Sequence, residues 1–175
     1  METRFESKTI NVKNLSIDEI KEQMVYTFNN IEAVYKAKRD NDDQITLSRS
    51  GNNVIIDFTR PIVLVPGISS IDRLTINVKE IGNKQTYVTC SDFPGIKEIH
   101  LWMQYLPTQD EKGTLMRMVC DLDIAWYNPL GRIIQNLIEK YRDVIDKEII
   151  KISDQTEEQL NKEFAPKEEV VAENA

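Results

Sequence analysis

The longest regular pattern of apolar residues in the sequence runs from Asn128 to Lys151. Apolar side chains recur there at steps of three and four residues, and charged side chains fill the opposite side, which predicts an amphipathic helix. Asn128 is a suitable N-cap, and Pro129 fits the first helical position. Such a long helix needs a broad apolar partner, so we expect it to lie on a sheet. The residues that we expect to be buried against that sheet are Leu137, Tyr141, Val144 and Ile145.

The N-terminal segment predicts one strand and one short helix. Weak alternation from Phe5 to Lys13 indicates the strand. Ser16 and Glu19 have the spacing of a capping box, which predicts a helix over Ile17 to Phe28. The next segment, Asn29 to Asp43, fits a second short helix, a strand, or one leading into the other.

The middle of the chain reads as three successive hairpins, which predict an antiparallel meander rather than a parallel α/β sheet. Glycine-containing turns separate the first two pairs, and a longer loop separates the third. The strand pairs are Gln44–Ser50 with Asn53–Thr59, Asp72–Ile81 with Gln85–Ser91, and Lys97–Leu106 with Thr114–Ala125. The apolar stretch Pro61 to Val65 either adds an edge strand or folds over a hydrophobic opening.

Alternation of apolar and polar residues identifies the sheet face that should look toward the helix. On the last strand this inner set is Met116, Met118, Cys120, Leu122, Ile124 and Trp126. Matching inner sets occur on the neighbouring strands, among them Ile99, Leu101, Met103 and Tyr105. His100, the single histidine, falls on the outer face, where we expect it to be solvated.

Charge and composition exclude several classes of function. The formal net charge is −7, and seven acidic residues with two lysines lie in 154–175, so the body is nearly neutral and a nucleic-acid surface is not expected. No apolar run has the length of a signal peptide or a membrane span, which predicts a cytoplasmic protein. The two cysteines lack metal-type spacing, and no cofactor-binding motif occurs, so we expect neither a metal nor a cofactor.

The order of elements resembles that of a known superfamily. A strand, one or two short helices, about six antiparallel strands and a long C-terminal helix are the layout of the START-like (SRPBCC) helix-grip fold. The turn Ala125 to Ile134, AWYNPLGRII, is similar to the opening of the last helix in polyketide cyclase-like members. The resemblance implies an α+β fold with a curved sheet of six or seven strands around the helix. We expect this domain to cover residues 1–153 and the acidic tail 154–175 to be disordered.

The resemblance also implies a hydrophobic cavity between the sheet and the long helix. The residues that we expect to bind a ligand there are Met103, Tyr105, Met116, Met118, Trp126, Leu137 and Tyr141. For the methionines, ordinary core packing is an equal alternative. The leading hypothesis is a carrier or binding protein for a small apolar, lipid-like molecule. An enzyme of the cyclase or hydratase type is one alternative, with no catalytic residue assigned. A protein-interaction module that binds a partner or a second copy of the chain is another.

Overall fold

The computed structural model describes residues 2–38, 44–67 and 69–166. These ranges contain eight strands and three helices. The strands are β1 (Glu2–Glu6), β2 (Ile10–Val12), β3 (Ile45–Ser50), β4 (Asn53–Val65), β5 (Ser69–Ile81), β6 (Gln85–Ser91), β7 (Ile96–Pro107) and β8 (Thr114–Ile124). The helices are α1 (Ile17–Asn29), α2 (Ile31–Lys38) and α3 (Pro129–Glu163). The predicted α+β fold, with a curved antiparallel sheet and a long C-terminal helix, is confirmed.

The strands form one antiparallel sheet in the order β1-β8-β7-β6-β5-β4-β3, and β2 also pairs with β8. The sheet has eight strands rather than six or seven, because the predicted first strand is two. Ser7 interrupts it: its backbone N–H donates to the Met118 carbonyl, and its hydroxyl accepts from the Met118 N–H, both at 2.8 Å. The chain can therefore shift its register on β8 without leaving these Met118 groups unpaired.

The predicted capping box begins α1. The Glu19 carboxylate accepts from the Ser16 backbone N–H, and the Ser16 hydroxyl accepts from the Glu19 N–H. The helix ends at Asn29, one residue beyond its predicted end. Of the alternatives left open for the next segment, the structure has the second short helix, α2, while residues 39–43 lie outside the described residues.

The apolar stretch Pro61 to Val65 continues β4 rather than forming a separate strand. Ile62 pairs with Ile71 and Val63 with Ser70, after a register shift beyond Asp57. The hairpin of β4 and β5 is therefore longer than predicted. Its far part stands beyond the neighbouring strands and carries Leu64 toward α3.

Register across the sheet confirms the predicted inner face. Val54, Ile76, Cys90, Ile99 and Leu122 form one row through five neighbouring strands. Because these positions occupy one row of the pleat, their side chains share a face. Trp126 does not belong to it: β8 ends at Ile124, the following turn breaks the alternation, and the Trp126 side chain is 56% exposed.

The main hydrophobic core lies at one end of the sheet, where β2, α1 and the C-terminal part of α3 meet. Its buried members are Ile10, Val12, Leu15, Ile20, Tyr105 and Met116. Met103, Met118, Leu160 and Phe164 pack against this cluster. The core therefore depends on residues that follow Ser153.

The long helix extends beyond the predicted pattern, which ran to Lys151: α3 continues to Glu163 and covers the free edge of β2. The Glu157 carboxylate accepts from the Asn11 backbone N–H at 2.8 Å. The Asn161 side chain donates to the Asn11 carbonyl at 2.7 Å and accepts from the Lys13 N–H at 2.9 Å. These side chains satisfy backbone groups that an edge strand leaves unpaired. Residues 167–175 of the expected tail lie outside the described residues.

The middle of α3 is less buried than predicted. Leu137, Tyr141 and Val144 are 48%, 46% and 58% exposed, while Ile145 is half-buried. The helix is kinked at Tyr141, whose φ and ψ are −110° and 17°. The next residue, Arg142, donates to the Arg4 carbonyl of β1 at 2.6 Å. The expected burial fails because α3 spans an open space here instead of lying on the sheet.

We propose that the folded domain extends to Phe164, and truncation tests this. Removing all residues after Ser153 should lower the free energy of unfolding by about 2–5 kcal/mol, because two apolar side chains that pack on the core are lost together. The loss follows from removal of Leu160, Phe164 and the two side chains that cover β2. Urea denaturation measures it.

Truncation after Pro166 is the matched control, and we expect it to change stability by less than about 0.5 kcal/mol. If the Ser153 truncation were equally stable, the contacts of Leu160 and Phe164 would contribute nothing, and the domain would end where the sequence predicted.

Candidate ligand-binding site

An open cavity of about 540 Å³ lies between the N-terminal half of α3 and the sheet, and we call it the α3 chamber. On the sheet side it is lined by Leu64, Phe93, Ile96 and Leu122. On the helix side it is lined by Leu130, Ile133, Ile134, Leu137, Ile138, Tyr141 and Ile145. The cavity has the size of many small-molecule sites, which commonly measure about 300–1,000 Å³.

Two glycines hold the start of α3 close to the sheet beside this chamber. A Cβ on Gly131 would lie 2.2 Å from the Ala125 carbonyl oxygen and 3.0 Å from the Gly95 oxygen. Gly95 has φ of +81°, a conformation that favours glycine. The Ala125 N–H donates to the Gly95 carbonyl at 3.0 Å. The glycines of the predicted opening turn and of the β6–β7 loop thus allow a backbone approach that larger residues would block.

The α3 chamber offers almost no polar chemistry. Ten of its eleven lining side chains are aliphatic or phenylalanine, and the other is Tyr141. The Lys140 ammonium lies 5.3 Å from the centre of the Tyr141 ring, and the phenol is partly exposed. The lining therefore favours an apolar occupant, with Tyr141 as its single hydrogen-bonding side chain.

A second cavity, of about 410 Å³, lies between α1 and the strands β4 to β6, and we call it the α1 chamber. It shares no lining residue with the α3 chamber. Its wall is mostly aliphatic, but Thr86, Met24, Gln23 and Thr27 also line it. Behind Thr86 the phenol of Tyr105 is buried, and this burial raises the pKa of Tyr105 above its ordinary value.

Comparisons with known proteins agree with this architecture. No protein-family model matches the sequence, and no curated protein matches it. Among solved structures, norcoclaurine synthase from Thalictrum flavum superposes with a TM-score of 0.54 at 12% identity, covering 91% of this chain and 87% of that one. A di-domain ARO/CYC protein of the steffimycin biosynthetic pathway also gives a TM-score of 0.54, at 13% identity, covering 94% of this chain and 51% of that one.

The chain has the START-like helix-grip fold. Sequence identities this low establish the architecture alone. In this helix grip the long helix closes one side of the α3 chamber and the curved sheet closes the other. None of the helices in the described part of the chain combines the length and the apolar character that a membrane span requires.

The helix grip does not bring the seven predicted ligand-binding residues together. Tyr105 and Met116 belong to the main core, and Met103 and Met118 pack against it. Leu137 and Tyr141 line the α3 chamber. Trp126 lies outside both chambers, edge-on to Tyr127 with ring centres 6.1 Å apart. A role in ligand binding stays a prediction for all seven residues, and Leu137 and Tyr141 are the two of them that line the α3 chamber.

Sequence reasoning missed most of the lining of both chambers. Leu64 belongs to a segment that the sequence left with two interpretations, and Phe93 and Ile96 lie between two predicted strands. The α1 chamber depends on which strands α1 crosses, which no local pattern specifies. The alternation along the last strand was a usable signal for Leu122, because it placed this residue on the predicted inner face and Leu122 lines the α3 chamber.

The outer face of the helix grip holds its polar groups in pairs. The Tyr87 hydroxyl and His100 Nδ1 are 2.8 Å apart, so His100 is half-buried and bonded rather than freely solvated. Arg4 donates twice to Asp121, at 2.7 and 2.6 Å, and this holds the pKa of Asp121 below its ordinary value. Within the described ranges, no group of three or more His, Cys, Asp or Glu side chains is placed to hold a metal ion.

The two thiols are poor nucleophiles at neutral pH. Burial, with a smaller effect of the Asp121 charge, raises the pKa of Cys120 to about 11. Burial also raises the pKa of Cys90, again with a smaller effect from a nearby carboxylate, Asp92. Because the thiolate is the reactive form, both side chains are expected to stay inert in the folded protein.

Truncating a side chain should cost much more stability in the packed core than on the wall of the α3 chamber, and two alanine substitutions test this. Ile124→Ala, at a fully buried position, should cost about 2–5 kcal/mol. Leu137→Ala, at a half-exposed position on the chamber wall, should cost less than about 1 kcal/mol because little packing is lost. Chemical denaturation of the two variants compares them directly. Equal losses would mean that the α3 chamber is closed and packed.

Alkylation tests the state of the thiols. Iodoacetamide at pH 8 should modify neither Cys90 nor Cys120 rapidly in the native protein, whereas both should react within minutes in urea. Mass spectrometry counts the added groups over time. Rapid labelling of Cys120 in the native protein would contradict its protonated, half-buried state.

Proposed function

We propose that this protein binds and carries a small apolar molecule in the α3 chamber. The observation that supports this proposal is the lining itself: a cavity of ligand size, open between helix and sheet, with one polar side chain among eleven. Removing an apolar molecule from water into such a site is favourable at roughly 25 cal/mol per Å² of buried apolar surface. No charged group of the lining would have to lose its hydration.

The half-exposed stripe on α3 supports the same proposal. Ile133, Leu137 and Tyr141 follow one another at steps of four residues and all line the chamber, yet each is at least 40% exposed. An uncovered apolar surface of this kind commonly marks a binding site in a folded protein. A ligand in the chamber would cover these side chains and would give them the apolar contact that the sheet does not provide.

A cyclase or hydratase type of enzyme is the weaker alternative. Acid–base catalysis needs at least one titratable group within hydrogen-bond reach of the substrate, and usually a second one to return the proton. Tyr141 is the single titratable side chain among the residues that line the α3 chamber, and none lines the α1 chamber. The enzymatic names of the structural neighbours describe those proteins, and at this level of identity they transfer no activity.

We further propose that the carried molecule is lipid-like and that the protein acts in the cytoplasm. The first proposal is supported by the apolar lining, and the second is a prediction of the sequence. A protein partner or a second copy of the chain is the remaining alternative from the sequence.

Filling the α3 chamber tests the carrier function. Leu122 points from β8 into the chamber, so Leu122→Trp should occupy ligand space while keeping the wall apolar. We expect the variant to stay within about 1 kcal/mol of wild-type stability, since overfilling is costly, about 1–3 kcal/mol, only in a packed core. Binding of the neutral fluorescent probe N-phenyl-1-naphthylamine, excited directly, should weaken at least about tenfold.

Leu106→Trp is the matched control, because Leu106 is an exposed leucine of the same sheet that lines neither chamber. It should leave probe binding unchanged. Undiminished binding by a stable Leu122→Trp protein would place the probe elsewhere and contradict the proposal. Native mass spectrometry of protein purified without detergent then identifies the mass of any retained molecule.

A further inference from the structure

The α1 chamber contains a pair of hydroxyl groups that the carrier proposal does not use. The Thr86 and Tyr105 hydroxyl oxygens are 2.8 Å apart. Each of them also lies 3.1 Å from the sulfur of Met24, toward which each can donate. Thr86 and Met24 line the chamber, and Tyr105 stands behind them in the core. The three side chains come from β6, β7 and α1.

These groups are incompletely satisfied by one another. Two hydroxyl hydrogens serve three close contacts, so one contact always lacks a hydrogen. Where a hydroxyl donates to Met24, its acceptor is a thioether, which accepts hydrogen bonds only weakly. Tyr105 is buried and Thr86 is half-buried. A hydroxyl shielded from water with a weak partner is costly compared with one bonded to oxygen. The cluster therefore favours an oxygen acceptor in place of the sulfur.

The geometry points to a second ligand site, in which the α1 chamber binds an apolar molecule that carries one neutral oxygen acceptor, such as a ketone, ester or ether, bonded to the Thr86 hydroxyl. Thr86 donates to the ligand oxygen while the Tyr105 hydroxyl donates to Thr86. Both hydroxyl hydrogens then have oxygen partners. Met24, an unbranched and adaptable side chain, moves aside or packs against the ligand.

The charge of the chamber selects a neutral ligand. None of its twelve lining residues is charged, and its polar members besides Thr86 are Gln23 and Thr27. A carboxylate there would lose hydration without meeting a cation, which is unfavourable inside an apolar wall. A ketone loses far less hydration and can recover it with a single hydrogen bond. The rest of the ligand contacts aliphatic side chains such as Val54, Ile76 and Val88.

Two probes of matched shape test this site. 2-Acetylnaphthalene carries a ketone oxygen at the position where 2-isopropenylnaphthalene carries a CH2 group. Thr86→Val removes the hydroxyl and keeps the branched shape. It should weaken binding of the ketone by about threefold to tenfold, the effect of one net hydrogen bond, and should leave the hydrocarbon unaffected. Fluorescence anisotropy of the naphthalene ring gives both affinities.

Three control variants distinguish a hydrogen bond from Thr86 from a change in the shape of the chamber or from binding in the α3 chamber. Thr86→Ser retains a hydroxyl and should retain the ketone affinity. Thr89→Val changes a threonine of the same strand on the outer face, and should affect neither probe. Leu122→Trp fills the α3 chamber and should leave the loss caused by Thr86→Val unchanged, so this site and the carrier proposal fail independently.

Several outcomes would overturn the inference. Equal loss of both probes in Thr86→Val would mean that the substitution disturbs the wall rather than removing a hydrogen bond. An unchanged ketone affinity would show that Thr86 does not contact the oxygen. Tighter wild-type binding of 2-naphthoate than of 2-acetylnaphthalene would contradict the preference for a neutral ligand.

Discussion

The attachment of α3 at its two ends is the constraint on which the rest of this structure depends. At the start, the backbone of Gly131 lies directly against the backbone of Gly95 and Ala125, so close that a side chain at position 131 would not fit. At the other end, Leu160 and Phe164 join the main core, and Glu157 and Asn161 bond to the free edge of β2. A helix held at both ends crosses the sheet whether or not its middle is packed.

The open chamber follows from that attachment. In most small domains an amphipathic helix buries its apolar stripe, because hydrophobic contact is the main source of its stability. Here the terminal contacts supply that stability, and the middle of the stripe is left half-exposed above the curved sheet. The kink at Tyr141 lies between the two attachments, next to the hydrogen bond from Arg142 to β1. A ligand can replace the missing sheet contact without competing with the core.

Core and chambers divide the inner face of the sheet between them. Adaptable methionines and the Tyr105 ring fill the end where β2, α1 and the C-terminal part of α3 meet, and aliphatic residues line the opposite end. The α1 chamber adjoins the core, and its hydroxyl pair gives it a chemistry that the α3 chamber lacks. The outer face lines neither chamber. Its polar side chains bond to one another instead, as in the ion pair of Arg4 with Asp121 and the hydrogen bond of Tyr87 with His100.

Local pattern alone determined the antiparallel sheet, its inner face, the capping box of α1 and the start of α3. Each of these follows from periodicity or from residues within four positions, such as Ser16 with Glu19 or Asn128 with Pro129. Tertiary structure alone decided the end of α3. The acidic composition after Ser153 predicts disorder, but Glu157 and Asn161 bond to the edge of β2, and this contact is not visible in the local sequence. It also decided which inner-facing residues line a cavity. Met118 and Leu122 have the same alternation, yet one packs on the core and the other faces the α3 chamber, because helices converge over one end of the sheet and stand away from the other.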